Sequence, residues 1–356
     1  MKHACFLVAA AAVALLGLAA PAHASHGDGL QCGDTIETAG TVRLQSDLDC
    51  TTTGGFGYGI FIGASNVNLS LGGHTIQTFS GGILSSLPPG TPLSNVHIRG
   101  GAGGTATITA TDTPSGGSAG VALPASNSSV AGLRIAAGAG IELDGNGNEV
   151  FRNVIDISAG NYGGVRVWGQ NNHIHRNTVR GNTQTAIGVF SDSDSTANGA
   201  RVAVNRVECA AGATGVPTGI RVTGYTTSAI VARNTVLGCD AGITLELANF
   251  ASGGAQVRRN VSTGNRLHGI SLSDPAGRVW CNETHSNEFD GIVTSGGVVE
   301  NNRANNNGGW GINATGATDL GGNTATGNAT DQDCTPNIVC TTPPDPPCAA
   351  AGGVGA

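Results

Sequence analysis

The chain has 356 residues, 39% hydrophobic and only 12% charged, with 58 glycines, 13 prolines and a formal net charge of −7. That acidity excludes the basic footprint of a general nucleic-acid binder, and the glycine and proline content stays below that of low-complexity disorder. Lys2 is the only lysine, so arginine supplies every other permanent positive charge.

The first 24 residues join Lys2 and His3 to an apolar run from Ala4 to Ala20 and to Ala22-His23-Ala24, the pattern of a secretory signal peptide. The run is short for a membrane span and nothing later resembles one. The expectation is therefore an exported chain starting at Ser25, extracellular or periplasmic where an outer membrane exists, with no membrane insertion. Removing Cys5 with the signal leaves Cys32, Cys50, Cys209, Cys239, Cys281, Cys334, Cys340 and Cys348, an even set that predicts disulfides in an oxidising compartment. Cys32 with Cys50 would close a small N-terminal loop, and Cys209 with Cys239 would join consecutive repeat units. The other four are left unassigned. No Cys-x-x-Cys spacing is present, so zinc is not expected.

Residues 25–58 read as an N-terminal cap, with alternating segments at Thr41–Leu44 and Asp47-Leu48. Less regular units follow at Tyr58–Ile62, Asn66–Ile76 and Asn95–Gly100, separated by Pro-, Ser-, Thr- and Gly-rich stretches at 85–94 and 111–129 that read as loops. A strict repeat then takes over. Asn153, Asn177, Asn205, Asn234, Asn260, Asn282, Asn302 and Asn323 are each preceded at three residues by Val150, Ile174, Val202, Val231, Val257, Val279, Val299 or Leu320. After most of them comes a second signature, as in Gly164-Val165-Arg166-Val167, Gly219-Ile220-Arg221-Val222, Gly242-Ile243-Thr244-Leu245 and Gly269-Ile270-Ser271-Leu272. A period in the twenties with short alternating segments predicts an all-β chain folded as a single parallel β-solenoid of about a dozen coils, in which neighbouring coils bury one another. The solenoid is placed at 59–333 and a Pro/Gly/Ala-rich tail at 334–356. Stacking then turns the asparagines into a hydrogen-bonded column, a structural role. Asn307, outside that column, is read as an exposed position.

The Cys32-Gly33-Asp34 start, the Asn66–Ile76 segment and the reiterated Arg-Asn-x-Val and Gly-Ile-x-Leu units resemble secreted bacterial right-handed parallel β-helix repeat proteins, within the pectate-lyase-like group of folds. The resemblance covers most of 32–330 and implies the fold. The group includes polysaccharide lyases, glycoside hydrolases, uronate epimerases and adhesins, so it implies no single activity. Ser70 and Gly72 stand where an Asp-Leu-Asn-Gly-His motif would place Asp and Asn, and Asp274-Pro275 is followed by Ala276 where the alginate epimerases have His. No polygalacturonase-like acidic set is present.

If Ile and Leu of each Gly-Ile-x-Leu strand point inward, the two-residue period turns their neighbours outward. The outer face then runs Glu142 and Asp144, Arg166 and Trp168, Gly188 and Phe190, Arg221 and Thr223, Thr244 and Glu246, Ser271 and Ser273, with Asp192, Asp194, Tyr225 and Phe250 just beyond the strand ends. Aromatic faces at this spacing suit stacking on sugar rings, and arginines suit bidentate pairing with uronate or sulfate. The candidate binding set is therefore Glu142, Asp144, Arg166, Trp168, Phe190, Arg221, Tyr225 and Glu246. The plainer reading is that the aromatics cover the wall beneath their own loops and that Glu142–Arg166 is a surface ion pair of small energetic weight. For a lyase, Arg166 and Arg221 would have to stabilise the charge left by proton abstraction. Asp192-Ser193-Asp194 and Asp144-Gly145-Asn146-Gly147-Asn148 have the oxygen spacing of a weak calcium loop, and His173 and His175 lie near Glu149 as a metal-pair candidate, though ordinary polar turns and a solvated pair explain both. No other cofactor is implied. The functional expectation is a monomeric secreted protein engaging extracellular, acidic polysaccharide. The alternatives are a polysaccharide lyase or uronate epimerase, and a non-catalytic structural or adhesive surface protein.

Overall fold

Apolar side chains on alternate positions of three successive short strands can all be buried only if the chain turns three times per coil and winds back over itself. The computed structural model describes residues 29–341, apart from 53–56, 89–90, 102–105, 112–117, 159–162, 182–183, 192–196, 211–216, 225–227, 248–253 and 330–332, together with Cys348. It shows three sheets of twelve strands each, every pairing parallel and every sheet in chain order. The first sheet runs from Thr35–Ile36 to Ile312–Asn313, the second from Gly40–Arg43 to Thr318–Asp319, and the third from Leu48–Asp49 to Thr324–Thr326. One coil takes a strand from each sheet, so the described residues form a twelve-coil solenoid. Residues 35–49, within the segment read as a cap, already supply the first strand of all three sheets. After the last coil, isolated bridges join Ile312 to Cys334 and Asn323 to Cys340. The signal-peptide residues and 349–356 lie outside the described residues. No helix among the described residues is long and apolar enough to cross a membrane.

The interior is a set of aliphatic columns at the ~4.8 Å strand spacing. In the second sheet Val150, Ile174, Val202, Val231, Val257, Val279 and Val299 follow one another in register, each at most 1% exposed. β-Branched residues suit such a column, and each buried side chain contributes about 1.5–3 kcal/mol. The expected last member fails: Leu320 is 57% exposed, because the register sets Asp319 opposite Val299 and leaves Leu320 in the turn. The glycine of the Gly-Ile-x-Leu signature has a steric cause. A Cβ on Gly164 or Gly219 would sit 2.3 Å from Val179 or Val236 of the third sheet, and on Gly242 2.2 Å from the Gly269 carbonyl.

Between the second and third sheets the corner is fixed by the asparagine column. Asn205 shows the pattern: its Nδ2 donates to Oδ1 of Asn234 at 3.0 Å and to the Ile174 carbonyl at 2.9 Å. Its Oδ1 accepts from both the backbone N–H and the Nδ2 of Asn177, each at 3.0 Å. Both donors and both lone pairs of a buried amide are thus satisfied, and the same contacts recur up to Asn323. The residue before each asparagine is left-handed, with φ 56° at Arg152, 57° at Arg176, 59° at Val204, 57° at Arg233 and 54° at Arg259. That conformation costs an L-residue about 1–2 kcal/mol, which the satisfied ladder offsets.

A second ladder was not foreseen. Asn265, Asn287, Asn307 and Asn328 stack at the corner between the third and first sheets, with Nδ2–Oδ1 distances of 2.7, 2.9 and 3.0 Å. Asn307 is 2% exposed, so its reading as a surface position is corrected. Among the described residues four disulfides form. Cys32–Cys50 and Cys209–Cys239 are as expected, and Cys281–Cys348 and Cys334–Cys340 assign the rest.

Two outcomes are expected. Asn234→Ala leaves the Asn205 amide, the Val202 carbonyl and Asn260 short of partners and should cost at least about 2 kcal/mol, whereas Asn68→Ala, on the exposed side of its strand, should cost little; denaturant unfolding compares them. Val204 is β-branched, left-handed and 47% exposed, so Val204→Asn should stabilise by about 1 kcal/mol, read as a raised melting midpoint.

Candidate functional site

Strand alternation places the predicted outward residues of the first sheet where the sequence put them. Glu142 pairs in register with Arg166 and Asp144 with Trp168; one coil on, Arg166 meets Gly188 and Trp168 meets Phe190. Gly188 then pairs with Arg221 and Phe190 with Thr223, followed by Thr244 and Glu246. Arg166 and Arg221 therefore stand two coils, ~10 Å, apart with a glycine between them. That glycine matters, since a Cβ there would come 2.3 Å from the Phe190 ring, which lies back across it.

The side chains make one connected patch. Trp168 and Phe190 have ring centroids 5.5 Å apart at an interplanar angle of 33°. The Arg166 guanidinium lies 4.7 Å from the Trp168 centroid and 5.7 Å from that of Phe190, and it donates to Glu142 at 3.0 Å. Arg166 and Glu142 are each under a third exposed. Further along, Arg221 donates to Glu246 at 2.7 Å, while its buried Nε has no hydrogen-bond partner. Both arginines of this face already hold a carboxylate, so the face presents two half-buried aromatic rings between two matched charge pairs. Tyr225, Phe250, Asp192 and Asp194 lie outside the described residues.

The other candidates have partners of their own. The Asn146 side-chain oxygen accepts from the Gln170 N–H at 2.7 Å and that of Asn148 from the Ser128 N–H at 3.0 Å, so these oxygens of the 144–148 turn are directed at backbone. His175 Nε2 lies 2.7 Å from Glu149 Oε1, and its ring stacks on Phe151 at 5.2 Å. Burial, and then the neighbouring Arg201, lower the pKa of His173. Among the described residues no group of three or more His, Cys, Asp or Glu side chains converges as a metal site. His268 and Asp290 approach only to 3.8 Å, too far for a hydrogen-bonded dyad.

One feature escaped the sequence reading. Trp280 of the second sheet packs against Arg278 at 4.8 Å and Arg258 at 5.6 Å. Its signal was present, because Arg278-Val279-Trp280 repeats the tripeptide Arg166-Val167-Trp168 and puts Arg and Trp on one side of a strand.

Residues 119–280 match the family model described as a right handed beta helix region. The chain is a right-handed parallel β-helix. No curated protein sequence matches it. Among solved structures the β-helix is similar to the Dettilon tailspike protein, with 17% identity, a TM-score of 0.41 and coverage of 76% of this chain and 59% of that one. It is also similar to the A-module of the mannuronan C-5 epimerase AlgE6 of Azotobacter vinelandii, with 12% identity, a TM-score of 0.43 and coverage of 86% and 90%. At such identities the likeness is one of fold. The chain spans 59% of the tailspike chain's length.

Proposed function

We propose that the β-helix binds polysaccharide along the outer face of its first sheet, with the Trp168–Phe190 pair as the central contact. The observation that carries this reading is the Arg166–Trp168–Phe190 stack, on adjacent coils and only partly buried. Half-exposed aromatic rings on a flat, rigid wall offer apolar faces to sugar C–H groups, while the flanking Arg–carboxylate pairs offer donors and acceptors to hydroxyls. The wall is preorganised, since every strand under it is held by parallel pairing on both sides, and little entropy is lost on binding. Four disulfides support an oxidising, extracellular setting.

Binding fits this face better than lyase or epimerase chemistry. Proton abstraction beside a carboxylate needs an available base and a cation free to meet the developing charge. Here Arg166 and Arg221 are engaged by Glu142 and Glu246. The same matching makes the face close to neutral and favours contacts to hydroxyls over contacts to uronates.

Trp168→Ala should weaken binding to a glycan that the native protein retains by about 1–3 kcal/mol and leave the melting midpoint nearly unchanged. Arg166→Ala removes the cation braced on both rings and should cost about 1 kcal/mol of affinity. A glycan array followed by titration with the selected oligosaccharide measures both. Unchanged affinity in the two variants would move binding off this face, and retention of no glycan at all would favour a structural or adhesive protein. Conversion of the bound glycan to unsaturated products would assign a lyase.

A further inference from the structure

The second sheet and the corner that follows it hold arginines that form no ion pair among the described residues. Arg201 lies on one strand of that sheet, Arg233 at the corner of the next coil, and Arg258 and Arg259 on the strand and corner of the coil after. These three successive coils span ~10 Å along the axis. Among the described residues, the arginines that form ion pairs are Arg134, Arg166, Arg180, Arg206, Arg221, Arg266 and Arg278. The carboxylates nearest in the sheet are taken: Glu149 by His175 and Glu300 by Arg278.

The charges of Arg201, Arg233 and Arg259 are all felt at the Arg258 guanidinium. Burial, and then Arg259, Arg201 and Arg233, lower the pKa of Arg258. The buried Nε atoms of Arg258 and Arg259 have no hydrogen-bond partner. Ala203 and Ala232 occupy the outward third position of their strands, in register with each other and with Arg258, yet they are only 7% and 4% exposed. An outward alanine is closed from solvent when longer neighbours flank it, and here His175 precedes Ala203 in the column and Arg258 follows Ala232, leaving a small apolar floor between them. Trp280 stands one coil beyond, in register with Arg258, with its ring against it. At the other end Arg152 and Arg176 continue the corner line. In a chain with a net charge of −7, unpaired cations held side by side lower stability, and such arrangements persist where a ligand uses them.

We propose that Arg201, Arg233, Arg258 and Arg259 form a second binding site, separate from the Trp168–Phe190 face, for an anionic polysaccharide bearing carboxylate or sulfate groups. Guanidinium groups fit both anions bidentately. The coil repeat sets the cations one strand spacing or a small multiple apart, which suits a polymer with about one charge per sugar or per pair of sugars. Duplex nucleic acid carries a charge every ~1.7 Å and would meet the acidic remainder of the surface.

The test is affinity gel electrophoresis of the full chain in polygalacturonate, dextran sulfate, uncharged dextran and duplex DNA. The native protein should be retarded by at least one of the two acidic polysaccharides and released by salt. Arg201→Gln with Arg258→Gln should weaken that retention at least tenfold and flatten its salt dependence, with a melting midpoint unchanged or higher because repulsion is relieved. Arg201→Lys with Arg258→Lys should recover part of the binding. Trp168→Ala should leave it intact, which separates this site from the first-sheet face. Should the double Gln variant misfold, Arg233→Asn, which keeps a residue tolerant of the left-handed corner, is read out in the same way. Retention by neither polyanion, or undiminished retention in the variants, overturns the proposal. Equal or tighter retention by duplex DNA overturns it in favour of a nucleic-acid site.

Discussion

Each ladder asparagine fills four hydrogen-bonding positions at once, and it can do so only when the coils on either side present matching amides one strand spacing away. The cost of leaving a buried amide unpaired is larger than the net gain from pairing it, so the row behaves as a unit. It also holds the preceding residue left-handed at every level, including Val204, for which that backbone is unfavourable. From Asn153 to Asn302 the turn between the second and third sheets is fixed in this way, and differences in coil length there are confined to the other two corners. The aliphatic columns, the glycine column and both arginine-bearing faces inherit their register from that constraint.

The two faces use the same residue types to different effect. On the first sheet, Glu142 and Glu246 lie one coil from an arginine and match it, leaving the Trp168–Phe190 rings as the distinctive surface. On the second sheet the residues in register beside Arg201 and Arg258 are His173, Ile230, Ala232 and Trp280, none of them a carboxylate. One face is thus an aromatic platform with balanced charge and the other a cationic strip on an apolar floor.

The fold and the outward pairs of the first sheet were legible because both rest on period: two residues along a strand, and a little over twenty along the solenoid. The matching of Glu142 with Arg166 could be read from that period alone. What escaped depended on local loop length or on side-chain reach. The Asn265 ladder spans only four coils, because the position one coil earlier is Cys239, whose N–H still donates to Asn265 but whose side chain is in the disulfide with Cys209, so it was hidden beneath the longer repeat. Leu320 followed the spacing rule but fell into a turn where the register slips by one residue. Trp280 carried the same tripeptide as Trp168, on a strand with no glycine signature to draw notice. That Arg201, Arg233, Arg258 and Arg259 meet no carboxylate among the described residues is a property of neighbouring coils, invisible until the stacking is known.

The disulfides are not spread evenly along the helix. Cys32–Cys50 brackets the strands of the first coil, and Cys334–Cys340 and Cys281–Cys348 gather the chain just past the last one. A stack whose members touch only their neighbours loses them most easily from its ends, where one interface instead of two must be broken. Here Cys281–Cys348 ties the chain past the last coil back to an earlier one, while Cys32–Cys50 closes the first coil on itself and so reduces the entropy that coil gains by detaching. Reduction would therefore change the route of unravelling as well as its midpoint, making fraying from the tips easier than it is with the loops closed.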